Sequence, residues 1–79
     1  MISPAEAAKK VLTTQKYDKV IFVKDYDQQH YVVEALPENY EVGMQTTFGV
    51  DKNTGDVTAF FPQPGSTLEK YNNAKCLEF

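Results

Sequence analysis

Three oxygen-bearing side chains in one short loop are the residues that most resemble a metal-binding site. Asp51, Asn53 and Asp56 lie within FGVDKNTGDV, residues 48–57, and a calcium loop places its oxygen ligands at alternate positions in a similar way. The remaining positions do not fit, because glycine and aspartate stand in reversed order and Pro62 occupies the place of the final bidentate glutamate. We therefore expect no metal or other cofactor in this loop.

His30 and Cys76 are the only histidine and the only cysteine of the chain. A nucleophile or general base needs a partner Ser, Cys or carboxylate close in space, and no sequence signal joins these two residues. The glycines are scattered singly, which is not the pattern of a phosphate-binding loop. The sequence therefore predicts no catalytic residue and no enzymatic activity.

The acidic loop is explained better as a β-hairpin. Asn53 and Thr54 suit the centre of a type I turn, and Gly55 suits the left-handed conformation that follows in a hairpin with a bulge. In this interpretation Gly55 is required for its backbone alone.

The first element that must position these residues is an N-terminal helix. Ser3 is the expected N-cap, Pro4 occupies the first helical position, and Glu6 completes a capping box with Ser3. The pattern predicts a helix over about residues 4–15. Its apolar stripe contains Ala8, Val11 and Leu12.

Strands and a second helix follow. Apolar and β-branched residues predict four strands, at about residues 19–24, 30–36, 40–50 and 56–61. A second capping-box pattern at Ser66-Thr67-Leu68-Glu69 predicts a short helix over about residues 67–74. The expected fold is therefore a single α+β domain over residues 1–79, with the N-terminal helix packed on a four-stranded antiparallel meander sheet and a short C-terminal helix.

Strand alternation assigns side chains to the two faces of this sheet. The face toward the N-terminal helix is predicted to contain Ile21, Val23, Tyr31, Val33, Ala35, the alternating series Tyr40, Val42, Met44, Thr46, Phe48 and Val50, and also Val57, Ala59 and Phe61. The opposite face then carries Val20, Phe22, Val32 and Phe60, which are predicted to form a protein-binding patch. Two alternatives stay open: the C-terminal helix and Phe79 cover this face, or the strand phase is off by one.

Composition excludes several partners. The chain has 79 residues and a net charge of −3, and its eight basic residues are all lysine. Nucleic acid is not an expected partner, because phosphate recognition favours clustered cations and the fork of arginine. No apolar run approaches the roughly 18 residues of a membrane span. With one cysteine and no signal-peptide pattern, we expect a cytoplasmic protein.

The hairpin also carries a family resemblance. Val50, Asp51, Thr54, Gly55 and Val57 match the V-D-x-x-T-G-x-V pattern of the last hairpin of PepSY-like domains. SPAEAAKKVL resembles the opening helix of those domains and HYVVEAL their middle strand, so the resemblance covers about residues 3–61. Leu68-Glu69-Lys70-Tyr71 is similar to a trailing helix of small immunity-type proteins of toxin systems.

The resemblance implies a non-catalytic domain that binds another protein. We expect a small inhibitor or immunity-type module that acts through the sheet face, on another protein or on a second copy in a homodimer. The alternative is an accessory or structural protein of a phage or prophage.

Overall fold

The computed structural model describes all residues from Met1 to Phe79 and shows an α+β fold. A five-stranded antiparallel sheet in the order β4-β3-β2-β1-β5 carries one helix on each face. The elements are α1 (Pro4–Gln15), β1 (Lys19–Asp25), β2 (His30–Leu36), β3 (Thr47–Asp51), β4 (Val57–Ala59), α2 (Ser66–Asn73) and β5 (Lys75–Leu77). The predicted meander forms β1 to β4, and β5 was not predicted.

Helix α1 has the predicted bounds and the predicted capping box. The Glu6 backbone N–H donates to Ser3 Oγ at 3.1 Å, and the Ser3 backbone N–H donates to Glu6 Oε1 at 3.2 Å. These two bonds satisfy donors that a helix N-terminus otherwise leaves free. The helix ends at Lys16, whose φ of 58° is left-handed.

The main core lies between α1 and the sheet. Ala7, Ala8 and Val11 of α1 are at most 5% exposed. They pack on Val23, Tyr31, Val33, Ala35, Phe48 and Val50 of β1 to β3. The strand register supports this layer, since Val33 stands opposite both Val23 and Phe48. Small helix residues allow α1 to approach the sheet closely, and the valines and aromatic rings fill the space between.

A β-bulge in β1 corrects the predicted face of two residues. Val20 pairs with Ala35 and Phe22 with Glu34, so Ile21 is the extra residue. Val20 therefore packs against the α1 core, whereas Ile21 is 46% exposed. The prediction placed these two the other way round, because simple alternation does not anticipate an inserted residue.

The third strand is much shorter than the predicted 40–50. Strand β3 begins at Thr47, and a turn with a Met44 N–H bond to the Glu41 carbonyl precedes it. Strand β2 ends at Leu36, followed by Pro37, which has no N–H to continue the ladder. Alternation in residues 40–45 thus has no partner strand, and the Thr46 carbonyl, which accepts the Ala35 N–H at 2.8 Å, is the first group of this segment that bonds to β2. Tyr40, Val42 and Met44 do not face α1 and are exposed instead.

The chain after β4 crosses the second face of the sheet. Strand β4 is one edge and β5 is the other, beside β1, so residues 60–74 cross the sheet. They do so on the face opposite α1, where Tyr71 meets Phe60 and Lys24. Helix α2 lies in this crossing. Its N-cap is Gly65 and no side chain caps it, so the predicted capping role of Ser66 is wrong.

Candidate functional site

The predicted patch of four apolar residues does not form as one exposed surface. Val20 belongs to the α1 side because of the bulge, and Val32 is fully buried on the opposite side. Phe22 and Phe60 lie on the second face and are half-buried. Both open alternatives therefore apply in part: the strand phase shifts at the bulge, and the C-terminal segment covers the rest of the face.

Aromatic rings and lysine stems close over the second face. The Tyr71 ring of α2 lies 5.7 Å from the Phe60 ring, and the Tyr26 ring meets Phe60 edge-on at 5.1 Å, measured between centroids. Lys24 Nζ lies 4.2 Å from the Tyr71 ring centroid and donates to the Tyr71 carbonyl at 3.0 Å. Burial, with smaller effects of Glu34 and Cys76, raises the pKa of the Tyr71 phenol.

The hairpin loop adopts the expected left-handed glycine. Gly55 has a φ of 79°, and its N–H donates to the Asp51 carbonyl at 2.8 Å. The Asp51 N–H in turn donates to the Asp56 carbonyl at 2.9 Å. The loop therefore includes Lys52 as well as Asn53 and Thr54, and is one residue longer than a type I turn followed by a bulge.

The Asp51 carboxylate supports the hairpin loop from inside. Its Oδ1 accepts the backbone N–H groups of Thr54 at 2.9 Å and Asn53 at 2.8 Å, and Gln29 Nε2 donates to its Oδ2 at 3.3 Å. The Thr54 and Asn53 bonds, with smaller effects of Gln29 and His30, lower the pKa of Asp51. A carboxylate held in its charged form in this way is a turn residue and a weak general base.

His30 lies between two carboxylates. Its Nδ1 is 3.3 Å from Asp27 Oδ1, and its Cα pairs with that of Asp51 across the strands. Burial disfavours the Asp27 carboxylate, but N–H donation from Gln29 and His30 and the nearby His30 ring outweigh it and lower the pKa of Asp27. Asp27 Oδ1 thus serves the β1–β2 turn. Nowhere do three or more His, Cys, Asp or Glu side chains meet as a metal site.

Lys52 is a buried cation that sequence reasoning missed. Its Nζ donates to Asp25 Oδ1 at 2.5 Å and to the Asp27 carbonyl at 2.6 Å, and it lies 4.9 Å from the Tyr31 ring centroid. The Lys52 backbone bonds to both Gln29 and Ile2 at 2.7 Å. Lys52 therefore connects the β3–β4 loop to the β1–β2 turn and to the N-terminus. Nothing in the sequence indicated this burial, because a lysine in a loop is normally exposed.

Four of the eight large apolar side chains that are exposed belong to the segments at the other end of the sheet, just before β3 and just after β4. Val42 is 97% exposed, and Phe61, Tyr40 and Met44 are 62%, 49% and 37% exposed. We name these four residues the loop-end patch. Gln45 connects its two segments, because its Nε2 donates to the Phe60 carbonyl at 3.1 Å.

The sequence does mark the segment before β3 as a loop, but the alternation of its apolar residues led to the prediction of a strand there. Phe61 was predicted to face α1 and does not, because β4 ends at Ala59. The Pro37 break and the glycine at position 43, whose φ is 97°, both mark a loop. A segment with such breaks is exposed even when its apolar residues alternate.

Cys76 is exposed on the edge strand β5, opposite Lys24 of β1. Neither helix has the length and apolar character needed to cross a lipid bilayer.

No protein-family model matches the chain, and no curated protein or solved structure matches it either.

Proposed function

We propose that this chain is a small, non-catalytic protein-binding domain, and that it binds through the loop-end patch. The observation that carries the proposal is the exposure of Tyr40, Val42, Met44 and Phe61 on neighbouring segments. A patch of large exposed apolar groups on a small domain marks an interaction site, and we propose that these four residues form one. The binding surface proposed from the structure therefore differs from the sheet face expected from the sequence, most of which is covered.

The chemistry of the polar end supports a binding domain over an enzyme. Asp27 and Asp51 are the carboxylates beside His30, and each accepts two backbone N–H groups of its own turn. The lowered pKa of each carboxylate weakens it as a base. Asp27 and Asp51 therefore stabilise their turns, and this role accounts for the position of both carboxylates beside His30.

The proposal includes the family type and the compartment. The V-D-x-x-T-G-x-V hairpin favours a PepSY-like or immunity-type inhibitor, which acts by blocking a protein surface. A single cysteine with an exposed thiol suits the reducing cytoplasm, where we place the domain.

The test compares two variants that each add one carboxylate at an exposed position. Val42→Glu alters the loop-end patch, whereas Gln28→Glu alters the turn at the other end of the sheet. A photo-crosslinking residue at position 44 captures the bound protein in host cells, and sedimentation velocity measures self-association of the purified chain. We expect Val42→Glu to weaken the captured or self-associated complex at least tenfold and Gln28→Glu to leave it unchanged.

Circular dichroism and thermal unfolding establish that both variants keep the native fold. A folded Val42→Glu protein that forms the same complexes with the same affinity would show that the loop-end patch is not the binding surface. Sedimentation separates the two kinds of partner, because only self-association depends on the concentration of the chain alone.

A further inference from the structure

The segment from Pro62 to Leu77, which contains α2 and β5, holds to the rest of the domain by few contacts. We name it the cover segment. Strand β5 pairs with only three residues of β1, Val23 to Asp25. Leu77 of β5 also packs against the edge of the α1 core. The contacts of α2 are those of Tyr71 with Phe60 and Lys24, and those of Lys70 with Asp27 at 3.9 Å and with the Tyr26 ring at 4.8 Å.

The cover segment differs from α1 in how it meets the sheet. No residue of α2 is buried, and its N-terminus has no side-chain cap. Tyr71 is half-buried and is the one ring that α2 places on the sheet side. An element with few buried apolar contacts opens at a lower free energy than the core of a domain.

The surface beneath the cover segment is apolar. Val32 is 0% exposed and is not part of the cluster that packs against α1. Its neighbours in the sheet are Lys24 on one side and the buried Gly49 on the other. Phe60 and Phe22 lie on the same face. Opening of the cover segment would remove Tyr71 from Phe60 and from Lys24, the neighbour of Val32.

We propose that the cover segment is a built-in lid: it opens as a unit while α1 and β1 to β4 stay folded, and it thereby controls access to the apolar face around Val32. The two faces of β2 make the asymmetry clear. Val33 on the α1 side belongs to a cluster of nine buried residues. Val32 lies outside that cluster, beside Lys24, whose Nζ contacts Tyr71 of α2, and α2 has no buried residue. This lid does not depend on the proposed binding function.

Two neighbouring valines provide the test and its matched control. Val32→Cys and Val33→Cys are each made in a Cys76→Ser background, and the rate of thiol labelling is measured under native conditions. Both positions are 0% exposed, so labelling requires opening. We expect Val32→Cys to label at least tenfold faster than Val33→Cys, with a weaker dependence on urea, because lid opening exposes less surface than global unfolding.

Ser3→Ala separates lid opening from global unfolding. Loss of the α1 cap destabilises the folded domain but acts equally on its closed and open forms, since α1 is intact in both. We expect Ser3→Ala to speed labelling of Val33→Cys about fivefold, the effect of one lost N-cap, and to leave Val32→Cys unchanged. Equal labelling rates at the two positions, or an equal response to Ser3→Ala, would overturn the proposal.

Hydrogen exchange supplies a second measurement on the unaltered chain. The backbone amides of α2 and β5 are expected to exchange through one shared opening at a lower free energy than those of β2. Exchange of β5 only together with β2, or independent fraying of single amides in α2, would contradict a lid that moves as a unit.

Discussion

The two faces of one sheet are held in different ways. On the α1 side, three small or branched helix residues are at most 5% exposed against a continuous apolar cluster, and the helix is capped by its own side chains. On the α2 side no helix residue is buried, and lysine–aromatic contacts take the place of close apolar packing. From this comparison we expect the α1 side to supply most of the free energy of folding, and the α2 side to open more easily.

Two phenylalanines with similar ring contacts measure this difference most directly. Phe48 is 2% exposed and meets Tyr17 edge-on at 5.7 Å, and half-buried Phe60 meets Tyr26 edge-on at 5.1 Å. We expect Phe48→Ala to lower the free energy of unfolding by about 3–5 kcal/mol. Phe60→Ala is expected to cost about 0.8–1.5 kcal/mol, roughly half of the transfer free energy of a fully buried ring, because a half-exposed side chain leaves no closed cavity. Urea unfolding followed by circular dichroism measures both values, and similar losses would remove the distinction between the faces.

Two lysines extend the comparison to charged contacts. Lys52 is buried beside the core ring of Tyr31, with Asp25 at 2.5 Å, whereas the Lys70 side chain is 51% exposed. Lys52→Met keeps the apolar stem and is expected to cost about 1.5–3 kcal/mol, as hydrogen bonds to a charged group are lost. Lys70→Met should change stability by less than about 1 kcal/mol. A larger loss from Lys70→Met than from Lys52→Met would reverse the comparison.

The two serines at the helix starts compare capping alone. Ser3 caps α1 through the bond from the Glu6 N–H, while Ser66 is already inside α2 and makes no capping bond. Ser3→Ala is expected to cost about 1 kcal/mol, and Ser66→Ala to have no measurable effect. Thermal unfolding of the two variants side by side checks this, and an equal loss in both would mean that Ser66 stabilises α2 in solution.

Sequence reasoning was accurate where local signals acted together. The bounds of α1, the capping box at Ser3 and the bounds of β2 were all predicted, as was the left-handed Gly55. A capping box, an apolar stripe and a turn glycine each act over a few residues, so no tertiary contact is needed to recognise them.

Sequence reasoning was wrong where distant pairing decides the structure. The bulge at Ile21 depends on the register of β1 with β2, and the end of β3 depends on where β2 stops. The three-residue strand β5 exists only because the chain returns to β1 after crossing the sheet. The patch of Val20, Phe22, Val32 and Phe60 was drawn from strand phase alone, so the bulge and the crossing together dispersed it.

Ionisation of Tyr71 offers the smallest and most selective change on the α2 side. Burial raises the pKa of this phenol in the folded protein above its ordinary value of 10.0. The stabilisation linked to the neutral phenol is therefore complete below the pKa of the unfolded chain and is lost as pH rises through the pKa of the folded chain. Tyr71→Phe cannot ionise at this position, so its stability relative to the original chain should improve steadily above pH 10.

Urea unfolding of both proteins at increasing pH measures the difference, in which the titration of all other groups cancels. A constant difference across that range would mean that Tyr71 is solvated as freely in the folded protein as in the unfolded chain, and that α2 already stands away from the sheet.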